Sequence, residues 1–362
     1  MADPATNPEI RKTGFGASDA APAMGLSKWE TPLDLYLEKR GVTDGFDGGN
    51  IAAEVGTLLE PTILRLHAMR RGITVAGRDE HDDIVAWHAD GSKNDPPEDA
   101  IRMLDTIRHP TKDFMFCHLD GVEFDHLDCP TAIVEAKSSL GRLAYSDDWG
   151  EEGSDEVPTP YVIQAHHQME VVAADGWGLL PVLIPALLAG PRFHIYRVDR
   201  NAELADRMVK MEAALWSRIQ KGQPPEATAD ERGEKALANL FPHSNGSERV
   251  ITDAEPLHMV AQELYLATQQ RKAAEAAETE LKNAVRMAMG ETKKLVGPTW
   301  KASWTDVAPK PKTDYEAALM AMIEDGLVDE EKAREQIARF TEPRGGYRRF
   351  LFTPGKELKK NG

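Results

Sequence analysis

Three charged side chains stand among the most apolar stretches of this chain. Asp120 follows the run FMFCHL, and Glu135 and Lys137 interrupt TAIVEAKSS. The spacing predicts buried strands over 113–119 and 131–137, with Asp120 before Gly121, where the first strand would turn into a hairpin. Glu135 and Lys137 are two apart, so on a strand both point to one face. Two carboxylates meeting at a sheet edge form a hard, anionic oxygen site suited to Mg²⁺ or Mn²⁺. A lysine on the same face can position the attacking water or stabilise charge on a phosphoryl oxygen. Asp…Glu-x-Lys is therefore a pattern for metal-dependent phosphodiester hydrolysis. Taken alone it also arises by chance, and a salt-bridged strand end is then the commoner explanation.

Other blocks accompany the three residues. GTLLEP places Glu60 four residues after Gly56 on a helical stretch, and YVIQAHHQM places Gln164 three after Tyr161 on one helix face. Near the start stands RKTGFGASDAAPAMGLSKW. In order, GASDAAPAMGLSKWETPLDLYLEKRG, VGTLLEP, HLDG, IVEAK and VPTPYVIQAHHQM resemble the motifs of the YqaJ-like viral recombinases. These are relatives of the lambda-type alkaline exonucleases in the PD-(D/E)XK nuclease superfamily. The resemblance covers residues 11 to 220.

The resemblance implies an α/β fold with a restriction-endonuclease-like core: a central mixed β-sheet flanked by helices, followed by a mostly helical α+β extension. It implies a metal-dependent 5′–3′ double-stranded DNA exonuclease of phage-type recombination, leaving 3′ single-stranded overhangs for strand annealing. Asp120 and Glu135 would be the metal ligands, with the Ala136 carbonyl as a third. Lys137 would position the water, and Glu60 would ligate the metal or orient its water from a neighbouring helix. Gln164 would close the site, with Tyr161 supporting it. Arg11 and Ser18, seven residues apart, would grip a 5′-phosphate, with Arg142 as a further contact. The cofactor expected is Mg²⁺, with Mn²⁺ as the alternative. The partners expected are double-stranded DNA ends, a single-strand-annealing protein and further copies of the chain in a ring, a trimer among the options. The Asp120–Glu135 gap is wider than in the shortest relatives, so the intervening hairpin is longer. Two other readings stay open at this point: an endonuclease of the same superfamily, and a DNA-end-binding or partner-recruiting protein with little catalysis.

The elements that must position these residues have their own signals. TPLDLYLEKRG reads as a helix with Thr31 as N-cap, Pro32 at its first position and Gly41 past its end, burying Leu33, Tyr36 and Leu37. In NIAAEVGTLLEPTILRLHAMRRG, Pro61 should kink or restart the helix. With Asp19 as N-cap of a helix, Pro22 falls in its first turn and Ser18 lies just outside, where an anion is favoured. Strands are expected at GLLPVLIPAL and RFHIYRV, and a helix at NAELADRMVKMEAALWSRIQKG. The expected division is an exonuclease domain over 1–225, a proline- and charge-rich linker over 226–250, and an accessory region over 251–362. In that region Thr252 and Glu255 form a capping box before a helix to Met289 and Gly290. A hairpin carrying Trp300, Ala302 and Trp304 follows, then a helix over 314–325. A last strand, GYRRFLF, overlaps RGGYRR, whose arginines and tyrosine are of the kind that contact nucleic acid, but an edge strand with charged outer positions is the favoured reading.

Composition narrows the classes. At 362 residues, 41% hydrophobic and 28% charged, the chain can bury a substantial core. A net charge of −17 argues against non-specific coating of nucleic acid, though not against a local basic groove. Two cysteines cannot hold an iron–sulfur cluster, and Cys117, His118, His126 and Cys129 lack zinc-site spacing, so neither is expected. With no secretory apolar segment and no disulfide framework, the cytoplasm of a bacterium or phage-infected host is expected, away from membranes.

Overall fold

The computed structural model describes residues 8–43, 51–139, 146, 148–189, 192–306 and 315–339. Arg142 and the RGGYRR and GYRRFLF stretches lie outside them. The chain divides into two compact units, Met1–Pro242 and His243–Gly362.

The first unit is built on a mixed sheet. Its strands are β1 (Thr74–Arg78), β2 (Ile84–Trp87), β3 (Lys93–Asn94), β6 (Gly121–Phe124), β7 (Pro130–Val134), β8 (Lys137–Ser139), β9 (Val182–Leu188) and β10 (Arg192–Val198). A separate short pair is formed by β4 (Ile107–Arg108) and β5 (Phe116–Cys117). The order is β10-β9-β7-β6-β1-β2-β3, with β8 continuing beside β9. Strands β7 and β8 run parallel to β9, and the other pairs are antiparallel. The helices are α1 (Pro8–Arg11), α2 (Ala20–Ala23), α3 (Pro32–Lys39), α4 (Ile51–Arg71), α5 (Glu98–Met103), α6 (Thr159–Val172), α7 (Ala202–Lys221) and α8 (Glu231–Leu240).

The pleat assigns the two sheet faces. Val75 and Val134 pack with Leu64 and Ala68 of α4. Their neighbours Ala76 and Ile133 join Val122 and Phe124 in the larger core with Ile163, Val171 and Val172 from α6. So α4 covers one face and α6 the other, as alternating side chains require. A third cluster packs Phe15 with Leu33 and Leu37 of α3, Leu215 and Ile219 of α7, and Ala236 of α8. On the α4 face, buried Glu123 of β6 pairs with His67 Nε2 at 2.7 Å and accepts from Arg71 Nε at 3.1 Å, tying helix to strand.

Local signals explain α3 fully. The Thr31 hydroxyl accepts from the Asp34 N–H, the Asp34 carboxylate accepts from the Thr31 N–H, and Gly41 leaves the helix at φ +67°. Three expectations differ. The run 113–119 forms a strand only at Phe116–Cys117, because the chain also pairs there with the N-terminal segment: Phe15 N–H donates to the Phe114 carbonyl and Phe116 N–H to that of Phe15. Helix α4 continues through Pro61; the carbonyl left without its helical donor belongs to exposed Thr57, where water can take it. The chain expected as a linker carries α8, which packs on α3, so the division falls after Pro242.

In the second unit, α9 (Pro256–Met289) begins four residues beyond Thr252, with Glu255 as N-cap and Thr252 N–H donating to its carboxylate. Hairpin β11 (Lys294–Val296) and β12 (Lys301–Ser303) pairs Leu295 with Ala302. Helices α10 (Tyr315–Glu324) and α11 (Glu330–Arg339) follow. Among the described residues no helix is long and apolar enough to cross a membrane.

Candidate active site

The register of the central strands brings the two acids together. Gly121 pairs with Val134, so Asp120 and Glu135 are the next residues outward on antiparallel β6 and β7. Such opposed residues lie within roughly 5 Å at Cβ, where like charges repel. Asp120 shares the parity of Val122, and Glu135 and Lys137 share that of Ile133, so all three project to the face covered by α6. Asp120 therefore stands at the entrance of β6, not at the end of the strand before it.

The strand breaks at Glu135 and Ala136, beside a proline on its neighbour. Ile133, Val134, Lys137, Ser138 and Ser139 pair with β9 at one constant offset. Glu135 N–H donates to the Leu183 carbonyl at 2.9 Å. The return donor in this parallel ladder would come from residue 185, which is Pro185 and has no N–H. Ala136 N–H points the other way, toward β6, and donates to Asp120 Oδ2 at 2.8 Å. A residue's N–H and C=O point to the same side of a strand, so the Ala136 carbonyl also faces the Asp120 side.

Glu135 is almost fully buried and is held from two sides. Its Oε1 accepts from Lys137 Nζ and from Gln164 Nε2, the latter at 2.6 Å. Its Oε2 accepts from Gln168 Nε2 at 2.5 Å. Lys137 Nζ also lies 5.0 Å from the centre of the Tyr161 ring. Burial raises the Asp120 carboxyl well above the usual carboxylate range, and the charges of Glu135 and Glu60 push it further up. Burial alone would lower the Lys137 ammonium, but Glu135 and Asp120 hold it above its ordinary value. Glu60 thus acts on the pair electrostatically from α4, whose Gly56 packs against Ser138 of β8.

Two glycines let α4 approach. A Cβ on Gly121 would meet Leu64 Cδ2 at 2.9 Å and the Ala76 carbonyl at 3.0 Å. A Cβ on Gly77 of β1 would meet Leu64 Cδ1 at 2.5 Å and the Asp120 carbonyl at 2.8 Å.

The N-terminal residues form a second polar cluster. Arg11 Nε donates to Glu38 Oε1 at 2.8 Å, and its Nη2 to Asp19 Oδ1 at 3.2 Å. Lys39 Nζ donates to Asp19 Oδ2 at 2.7 Å, as does Gly16 N–H at 3.1 Å. Asp19 therefore looks back to this cluster and makes no cap to α2, contrary to the sequence expectation. Ser18 is exposed in the single 3₁₀ turn Ala17–Asp19, which packs on α6. Burial, with the charges of Asp19 and Glu38, pushes Glu30 up to about 7.

His166 and His167 are buried and paired rather than lying on the helix surface. His166 Nε2 accepts from Asn201 N–H, while its Nδ1 meets the Val162 carbonyl. His167 Nδ1 lies 2.8 Å from Glu212 and its Nε2 2.9 Å from the Phe116 carbonyl. Cys117 packs in the core, whereas Cys129 is exposed.

All the donors that Asp120, Glu135, Glu60 and the Ala136 carbonyl offer are oxygens, and their negative charge exceeds what Lys137 supplies, so they suit a hard divalent cation. Among the described residues no three acidic, histidine or cysteine side chains converge tightly enough to enclose a metal by themselves. Gln168 was not singled out from sequence; its position four residues after Gln164 on one helix face was the available signal.

Two acids and a lysine at a strand break thus stand in a mixed sheet flanked by helices, the α/β fold class expected from the sequence. Residues 8–175 match the family model of the YqaJ-like viral recombinase domain. It is 24% identical over 299 residues to the uncharacterized protein YqaJ of Bacillus subtilis (strain 168), covering 82% of each chain. Among solved structures it is similar to an alkaline exonuclease, LHK-Exo, of Laribacter hongkongensis, with 16% identity and a TM-score of 0.40 over 64% of this chain and 97% of that one. LHK-Exo in complex with dAMP gives 14% identity and a TM-score of 0.40, over 61% and 94%.

Proposed function

We propose that the protein is a Mg²⁺-dependent exonuclease that enters linear duplex DNA at its ends and removes one strand 5′ to 3′. The 3′ overhang left behind would serve a single-strand-annealing protein, and the working form would be a homo-oligomeric ring such as a trimer. The observation that carries the reading is the convergence of Asp120, Glu135 and Lys137 on one sheet face under Gln164. That juxtaposition comes from residues far apart in sequence, and a salt-bridged strand end needs neither the second buried acid nor the glutamines.

Asp120, Glu135 and the Ala136 carbonyl would hold the cation, with Glu60 ligating it or orienting its water. A bound divalent ion would supply charge stabilisation at the phosphoryl oxygens and a more acidic water. Lys137, kept charged by the neighbouring carboxylates, would orient the attacking water or neutralise charge developing on the phosphate. Gln164 fixes Glu135, and the Tyr161 ring flanks the ammonium and limits its wandering. Ser18 and Arg11 would take the 5′-phosphate, in competition with Glu38 and Asp19 for the guanidinium. Arg142 would add a further contact.

The test follows strand loss from a linear duplex carrying one labelled 5′-phosphate, with Mg²⁺ or Mn²⁺, beside closed circular DNA and a Lys137→Ala variant. Loss from the 5′ end of the linear duplex alone, abolished in the variant, supports the reading. Cutting of the closed circle would move the protein to the endonucleases. Inertness with both metals would leave end binding or partner recruitment.

A further inference from the structure

Glu135 accepts from three side chains, and only two of them, Lys137 and Gln164, were given roles at the site from the sequence. The third, Gln168, lies one turn after Gln164 on α6 and is fully buried. The three donors divide unequally between the oxygens: Lys137 and Gln164 take Oε1, and Gln168 takes Oε2. A carboxylate oxygen has about two lone-pair directions. Oε1 is therefore filled, while Oε2 keeps one direction whose aim is set by where Gln168 pins the other.

The far end of the same amide points to the same role. A carboxylate only accepts, so Gln168 must turn its Nε2 toward Glu135. Its Oε1 is then buried with no hydrogen-bond partner among the described residues. An orphaned amide oxygen is a cost to the core, which a methionine of similar volume would avoid. What methionine cannot supply is the N–H at Oε2.

We propose that Gln168 is a positioning residue that fixes the plane of the Glu135 carboxylate and presents Oε2 to a divalent cation. This rests on the metal-site reading given above. The experiment titrates Mn²⁺ into the metal-free, full-length protein by calorimetry, comparing wild type, Gln168→Met and Glu135→Gln, and records the thermal midpoint of each metal-free form. Outer partners of a metal ligand are worth about 10- to 100-fold in affinity. Gln168→Met, which removes the orphaned oxygen but also a donor to buried Glu135, is expected to weaken Mn²⁺ binding about tenfold, its metal-free midpoint recording the balance of the two. An unchanged Mn²⁺ affinity, whatever the midpoint, overturns the proposal. Gln168→Asn, whose amide is one methylene too short to reach, makes the same comparison should the methionine variant fail to fold. Wild-type protein that takes up no Mn²⁺ would instead overturn the metal-site reading, and this proposal with it.

Discussion

Gly77→Ala tests whether the close approach of α4 is what sets the position of Asp120. The added methyl would sit 2.8 Å from the Asp120 carbonyl oxygen and 2.5 Å from Leu64 Cδ1, with Trp87 Cζ3 at 3.1 Å. Leu64 can swing its end away, but the Asp120 oxygen is backbone. To reach ordinary contact at 3.4 Å the strand must give by 3.4 − 2.8 = 0.6 Å. Overpacking of this kind costs about 1–3 kcal/mol, and the lower entropy of the unfolded alanine chain returns up to about 1 kcal/mol. The net loss of about 1–2 kcal/mol should lower the thermal midpoint by roughly 2–8 °C for a unit of this size. The shift passes directly to Asp120, and a misplacement near 1 Å can cost about 100-fold in rate, so strand removal should slow about tenfold or more. Urea unfolding and the labelled-duplex assay read the two effects separately. Adding Leu64→Ala removes the side-chain clash but leaves the backbone one. The double variant should therefore show a favourable coupling in stability with activity still reduced. A Gly77→Ala protein with wild-type midpoint and wild-type rate would refute the reasoning.

Three further outcomes follow from the polar clusters. His167 places both ring nitrogens against oxygens and donates to both as an imidazolium, and although burial would lower its pKa, Glu212 raises it. Its contribution is complete below the unfolded value of about 6.5 and is lost as pH rises through the raised folded value. Thermal midpoints should thus fall on the alkaline side, and His167→Gln should remove that slope and cost about 3 kcal/mol at pH 6. Glu30, pushed up to about 7 by burial with Asp19 and Glu38, destabilises as pH rises from the unfolded 4.5 toward that value. Glu30→Gln should accordingly stabilise by about 1–2 kcal/mol at pH 8 and change little at pH 4, read by urea midpoints. Arg11→Ala should reduce the preference for a 5′-phosphate over a 5′-hydroxyl end, and because it also removes a partner of Asp19 and Glu38 it should lower stability by about 1–3 kcal/mol. An unaltered preference would take Arg11 out of the end-binding site.

How far the sequence could be read depended on the distance over which each signal acts. Helix α3 was legible to the residue because Thr31, Pro32, Asp34 and Gly41 act within one or two turns. The run 113–119 was not, since its apolar residues are buried partly by pairing with Phe15, about a hundred residues earlier. The linker was misjudged for a related reason: Pro224, Pro225 and the charges around them describe the surface of the segment, whereas Ala236 is buried by α3 from the opposite end of the unit. In the site, the identities of Asp120, Glu135 and Lys137 were visible as charges in apolar runs, and Glu60 and Gln164 from their blocks. Gln168 looked like one more polar helix residue until the depth of α6 against the sheet was known.

The interruption at Glu135 shows why the last step needed three dimensions. A charged strand end in the middle of a sheet would ordinarily leave the ladder's own groups to compete with the side chains for partners. Here Pro185 offers no ladder donor to Glu135 on the β9 side, while Ala136 N–H, on the β6 side, donates to Asp120. The consequence is that the acid on β6 is oriented by backbone from the strand that carries the other acid. Pro185 was plain in GLLPVLIPAL, which read as a strand. Its meaning depends on which residue it faces, and that register is set by the parallel pairing of β7 and β8 with β9 across some fifty residues. Replacing Pro185 by alanine would restore a donor to the Glu135 carbonyl and draw the strand toward β9 at position 135. The fold should tolerate that change better than the site does, because the new N–H adds a ladder bond while tightening the one place where the strand has to open.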